Sequence, residues 1–207
     1  MVPTSVANTP AAPHLHLLNP ANFRSVLGAD YDWALSSIPF LDFDDAAGNT
    51  TLGLAYYFRW RSYRLHIKPI TDAPCCAWIV DEFLPPVAWS GKDNTIPCAA
   101  GHHLMEGRWL RNQTFLDSYS RFWWHGGGNP RAYTFWAASA IYERYTVTGG
   151  VDLVRELFPD LVHNYHEPNY TRPPQTPFIR WFQDTGRVAH GAFGPVNIRV
   201  ARHLERV

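Results

Sequence analysis

The sequence is short of charge, of cysteine and of long apolar runs, and each shortage removes a class of protein. Charged residues make up 17% of the chain, with 18 Lys+Arg balancing 18 Asp+Glu, against roughly a quarter in ordinary soluble domains. A zero formal net charge leaves no electrostatic basis for binding nucleic acid or another polyanion. No stretch approaches the ~18 apolar residues of a membrane span. The first twenty residues have neither a basic patch nor a continuous apolar segment of the secretory kind. Cysteine occurs three times, at Cys75, Cys76 and Cys98. An odd count with two adjacent members is not a disulfide framework; it predicts two small residues on a strand and a reducing, cytoplasmic compartment. Three Asn-x-Thr sequons, at Asn49, Asn112 and Asn169, leave secretion open without supporting it, because such short motifs arise by chance.

What the chain has instead is rings. Aromatic residues form 15% of it, nine of them Trp, in 207 residues, a length that suits one ordinary domain. This mixture excludes disorder, collagen and coiled coil, and predicts a heavily aromatic core or a ring-lined cleft.

Residues 1–19 are rich in Pro, Ala and Thr and read as a flexible or wrapping arm. Short helices are predicted over Asn22–Leu27 and Asp30–Ser37, with Asp30 as N-cap. After a polar turn at 44–49, Leu52, Tyr56, Trp60, Tyr63 and Ile67 recur at helical spacing while Leu54, Phe58 and Leu65 cover the opposite side. A helix apolar on more than one face is expected to be surrounded by others. Cys75–Leu84 has strand composition, is closed by Pro85 and Pro86, and is predicted to form a small hairpin with the residues before it. The next helix is predicted with Thr95 as N-cap and Pro97 in its first turn, and to run to about Arg111.

From there the pattern repeats. A shift of 38 residues lays Ala99–Ala100 on Ala137–Ala138, Leu104 on Tyr142, and Phe115–Leu116 on Leu153–Val154. Each copy reads as a mixed apolar helix, a short turn and an amphipathic helix, the tandem αα-hairpins of a solenoid or helical toroid. After His166 the character changes: residues 1–166 hold 12 Lys+Arg and 15 Asp+Glu, whereas 167–207 hold 6 and 3. A Pro-rich start and no sustained periodicity mark 167–207 as a divergent tail. Such a change is expected of a frameshift, a retained intron or an altered splice, and translating the coding DNA in the other two frames tests it.

Three segments carry candidate chemistry: 56–61, 82–92 and 102–109. Trp and Tyr faces stack on sugar rings, and Arg, Lys, His and carboxylates bond hydroxyls directionally; a buried aromatic core with satisfied polar groups accounts for the same residues. His102 and His103 stand four and three residues before Glu106, so one helix face can present a His and a carboxylate. Two ligands on one helix do not complete a metal site, and the order is not HExxH; a hydrogen-bonded His–Glu pair is the expectation, with no metal and no cofactor. Asp81 and Glu82 are strand neighbours and face opposite ways, while Glu82 and Glu106 could approach one another. The Gly126–Pro130 run lacks the residues of a phosphate loop and reads as a loop closing the mouth of a cleft.

Taken in order, TyrTyrPheArgTrpArg at 56–61, ArgLeuHisIleLys at 64–68, GluPheLeuPro at 82–85, TrpSerGlyLys at 89–92, CysAlaAlaGlyHisHis at 98–103, GluGlyArgTrpLeuArg at 106–111 and PheTrpAlaAla at 135–138 resemble the six-hairpin glycoside hydrolases of the mannosylglycerate hydrolase and trehalase-like type. The resemblance covers residues 20–166. It implies an all-α fold, an incomplete (α/α)6 toroid with a small β-hairpin insertion, whose inner helices and loops form a saccharide pocket. It implies hydrolysis of a glycosidic bond by a carboxylic acid and a carboxylate, and it places Tyr57, Arg59, Trp60, Trp89, Lys92, His102, His103 and Glu106 on the substrate side. Arg61 stands where an aromatic residue is expected and Pro97 where a small polar one is. The acid and base are expected from later hairpins, and six repeats of 38 residues exceed the 207 of this chain, so a truncated family member is expected, self-associating through exposed helix faces. The alternatives are a non-catalytic carbohydrate-binding or interaction module and a helical-barrel sugar epimerase using His102 and His103.

Overall fold

The computed structural model of the chain describes residues 19–41, 50–130 and 135–166. The N-terminal arm before Asn19, the polar turn at 44–49 and the tail from 167 lie outside the described residues. Within them the protein is mostly helical with one small antiparallel strand pair, as the sequence predicts.

The chain enters through a 3-10 turn, Pro20–Phe23, whose first amide donates to Asn19 Oδ1 at 2.9 Å, then α1 (Arg24–Leu27), a second 3-10 turn and α2 (Tyr31–Ser37). Asp30 does not cap α2 with its side chain. Its carboxylate instead faces Arg64 at 3.8 Å.

Helix α3 (Thr50–His66) buries Gly53, Tyr57, Trp60 and Tyr63. This stripe at i, i+4, i+7 and i+10 is the α-helical period. The opposite side, predicted to be covered, is open: Leu54, Phe58 and Leu65 are 43%, 64% and 44% exposed. No described element packs over that side, which is why the apolar residues there stay in solvent.

The strand pair is shorter than predicted. β1 (Ile67–Pro69) runs straight on from α3 and pairs with β2 (Trp78–Val80), Ile67 opposite Val80. Cys75 lies in the turn between them, not on a strand, and its sulfur is joined to that of Cys76. Pro74 beside them cannot donate to a ladder. Ser118 of the following layer accepts from the amides of Ala77 and Trp78 at 2.9 and 2.7 Å and donates to Trp78 O, docking β2 on that helix.

Two αα-hairpins follow: α4 (Pro97–Gly107) with α5 (Thr114–Trp124), and α6 (Ala137–Thr148) with α7 (Val151–His166). The 38-residue shift therefore maps hairpin on hairpin. α4 stops at Gly107, four residues short of the predicted end. Its N-cap is Ile96, because Thr95 is buried and its hydroxyl is bonded to Tyr119 OH at 2.7 Å. α6 ends at Gly149, whose φ of 68° is the left-handed cap and whose amide donates to Tyr145 O at 2.8 Å.

Small residues set how the hairpins meet. Ala100 and Leu104 of α4 and Ala137, Ala140 and Ile141 of α6 are all buried, and α4 packs along α6. A Cβ at Gly101 would come within 2.3 Å of the Trp136 ring, so only glycine admits that indole. Behind this layer α5 supplies Leu116, Tyr119, Phe122 and Trp123, and α7 supplies Leu153, Val154 and Leu157. Each such side chain, fully buried, stabilises by about 1.5–3 kcal/mol before the cost of ordering it. Across this seam Arg144 of α6, almost fully buried, pairs with Asp117 of α5 and also donates to Gln113.

Candidate functional site

The open side of α4 and of the turn that follows it carries Cys98, His102, Met105, Glu106 and Trp109, with α3 running beside it. Between the two helices is a groove of about 680 Å³ lined by Tyr56, Arg59, Trp60, His102, Met105, Glu106, Arg108 and Trp109. Its position follows from two packing facts. Tyr63 of α3 donates to the carbonyl of His103 at 2.8 Å, and a Cβ at Gly107 would meet the Tyr63 hydroxyl at 2.3 Å. The helices thus lie close enough for residues one turn away to face each other across the groove.

Charge and rings are interleaved on its walls. Arg59 of α3 and Glu106 of α4 form an ion pair, with side chains 62% and 30% exposed. Exposure to water makes such a pair a weak contributor to stability and leaves both groups open to a ligand. Trp60 is nearly buried and meets Tyr56 edge-on, ring centroids 6.4 Å apart. Tyr56 donates to Pro39 O, and burial pushes its phenol up to about 12, so it remains a hydroxyl donor at any physiological pH. Trp109 is 50% exposed. The Arg108 guanidinium lies 4.9 Å from its ring centroid and donates to Met105 O at 2.6 Å, which fixes the indole as one end of the groove.

Of the residues predicted on the substrate side, the groove gathers Arg59, Trp60, His102 and Glu106 and places the others elsewhere. Tyr57 is buried in the core against Phe23, centroids 4.8 Å apart. Trp89, 67% exposed, stands on the loop before α4 with its ring against Phe83. Lys92 is paired with Asp72 at 3.2 Å, both well exposed. The predicted His–Glu pair is not formed. His102 lies edge-on to Trp136 at 4.8 Å, Glu106 faces Arg59, and His103 turns inward, its Nδ1 3.1 Å from Tyr119 OH. Burial, helped by the fields of His66, His102 and Arg59, pushes the His103 imidazole down to about 3, so it is neutral in the fold.

Four groove residues escape the sequence reading: Tyr56, Met105, Arg108 and Trp109. The spacing 102, 105, 106 and 109 is the signal that finds two of them, Met105 and Trp109, since those positions share one face of a helix and its continuation.

A second polar cluster lies at the other end of α4. Asp81 is buried and its Oδ1 is 2.9 Å from His66 Nδ1. Asn94, at φ 48°, donates to Phe83 O at 2.5 Å and accepts from Ser90 Oγ at 2.6 Å, while its carbonyl accepts from the Glu82 amide at 2.7 Å. That left-handed backbone suits Asn and pins the loop from Glu82 to Thr95. Burial raises the Glu82 carboxyl, and its Oε2 is buried without a hydrogen bond. Glu82 does not line the groove, so the structure does not bring Glu82 and Glu106 together there. Among the described residues no group of three His, Cys, Asp or Glu is arranged to hold a metal, and no helix is long and apolar enough to cross a membrane.

Comparison with known proteins bears on this geometry. Residues 92–184 match the model of the mannosylglycerate hydrolase MGH1-like glycoside hydrolase domain. The matched stretch takes in α4 to α7, the α4 wall of the groove and residues 167–184 of the predicted divergent tail. A solved structure named Sialidase superimposes with a TM-score of 0.60 and 29% identity, over 72% of this chain and 15% of that one. The chain thus spans about a seventh of the length of the protein it matches. No curated protein matches the chain significantly. The fold is glycoside hydrolase-like, and the resemblance read from the sequence stands over the matched residues.

Proposed function

We propose that this glycoside hydrolase-like domain binds a saccharide in the groove between α3 and α4, with Trp109 meeting the sugar face and Arg59, Glu106, His102 and Tyr56 meeting its hydroxyls. The observation that carries this reading is the groove wall itself, where an ion-paired carboxylate and guanidinium share the lining with the half-exposed Trp109 indole. Rings supply the CH-contacting surface that sugars use, and charged groups make the stronger, directional hydrogen bonds.

Hydrolysis of an O-glycosidic bond needs two carboxyl groups held across it, one of them protonated. Glu106 is the one carboxylate among the groove residues. In this reading the described residues form the substrate-holding wall, and the acid–base pair comes from outside them. An epimerase using two histidines has less support, because His103 faces Tyr119 in the interior.

The test is calorimetric titration of the full chain with a panel of neutral mono- and disaccharides, alongside an assay for released reducing sugar. The expected result is saturable binding that falls about tenfold or more in Glu106→Gln, the scale of a lost charge-assisted hydrogen bond. Turnover by the full chain would place the acid and base within these 207 residues, and absence of binding across the panel would overturn the reading.

A further inference from the structure

The turn between α4 and α5 contains the sequon Asn112-Gln113-Thr114, and its side chains are sorted by direction. Gln113 points inward, donating to Leu110 O and accepting from the buried Arg144. Arg111 on the other side is anchored to the carbonyls of Leu35 and Ile38 at the end of α2. Asn112 and Thr114 alternate with these and point outward. Asn112 Oδ1 accepts from the Thr114 amide at 3.1 Å, which fixes the carboxamide and leaves its Nδ2 without a protein partner. That nitrogen is not among the buried polar atoms lacking a hydrogen bond, so it faces solvent. Thr114 is exposed at the first position of α5.

From this geometry we infer that Asn112 is an acceptor for N-linked glycosylation. The reaction joins Asn112 Nδ2 to C1 of an oligosaccharide carried on a polyprenyl diphosphate. The N–C1 bond forms as the C1–O bond to the diphosphate breaks, the diphosphate leaves with the electron pair, and Nδ2 gives up a proton. A surface turn is where such a bulky group is accommodated.

The experiment is expression of the full chain behind a cleavable leader in cultured eukaryotic cells, in an Asn49→Gln, Asn169→Gln background that leaves Asn112 as the remaining sequon. Cell and medium fractions are both analysed, before and after peptide N-glycosidase. The expected result is one mobility step, lost in Asn112→Gln, retained in Thr114→Ser, and a tryptic peptide of residues 112–121 in which Asn112 becomes Asp with incorporated heavy oxygen. Recovery of that peptide unmodified from chain that has entered the secretory pathway would overturn the inference. Because glycosylation is read in the cell fraction as well, a variant retained through poor folding still reports.

Discussion

The seam between the two hairpins and the open side of α3 and α4 are built from the same kinds of residue and behave oppositely. In the seam, Tyr119, Phe122 and Trp123 are between 0% and 2% exposed, and glycine at 101 admits an indole with no room to spare. On the open side Phe58 is 64% exposed, Trp109 is 50% exposed, and the Arg59–Glu106 pair stands in water. Aromatic content alone therefore says nothing about role. Burial gives a ring to the fold, and exposure beside unsaturated polar groups gives it to a ligand.

Substitutions can break this contrast from the seam side first. Phe122→Ala removes a ring in contact with Tyr119 and Trp123 and is expected to cost about 3–5 kcal/mol, read from denaturant unfolding. Gly101→Ala puts a methyl group against the Trp136 ring and is expected to cost about 1–3 kcal/mol by overpacking. A cost near zero would mean that Trp136 swings aside freely and that the seam is looser than described.

Acid separates the inner and outer layers by pH. His103 is held neutral by burial down to about 3, against an ordinary 6.5. The unfolded chain therefore takes up a proton that the folded chain refuses, and stability falls as pH drops from about 6.5 toward 3. Glu156 on the outer layer is held ionised by its two hydrogen bonds from Arg121, with His125 adding to the effect, and is lowered from 4.5 to about 2. Its contribution is present above about 4.5 and is lost as pH falls toward 2. His103→Gln is expected to flatten the upper part of a stability–pH curve, and Glu156→Gln only the lower part. A curve unchanged by His103→Gln would show that the imidazole is hydrated.

The smallest effects on stability belong to the open side. Glu106→Gln and Arg59→Met are expected to move stability by no more than about 0.5 kcal/mol while weakening saccharide binding. A large loss of stability in either would move the pair from the groove to the structural frame.

Much of the seam is legible in the sequence because helical period and tandem repetition are local signals. The 38-residue shift finds both hairpins, and Pro97 marks the start of one. What is not legible depends on which residues become neighbours. Thr95 reads as a cap until Tyr119 takes its hydroxyl. Asp30 reads as a cap while its carboxylate faces Arg64. His103 and Glu106 share a helix, yet one turns inward to Tyr119 and the other outward to Arg59. The groove was half visible for the same reason: its aromatic and charged types stand out in the strings, but the pairing of α3 with α4 decides that Trp109 belongs to it and Trp89 does not.

The measurement that bears most directly on this division is thermal unfolding of the full chain and of Trp109→Ala, each with and without the saccharide panel. Without sugar the two proteins are predicted to unfold at nearly the same temperature, and a bound sugar to raise the midpoint of the unsubstituted chain alone. A midpoint lowered in Trp109→Ala as far as in Phe122→Ala, or a sugar-induced rise that survives the substitution, would contradict the account.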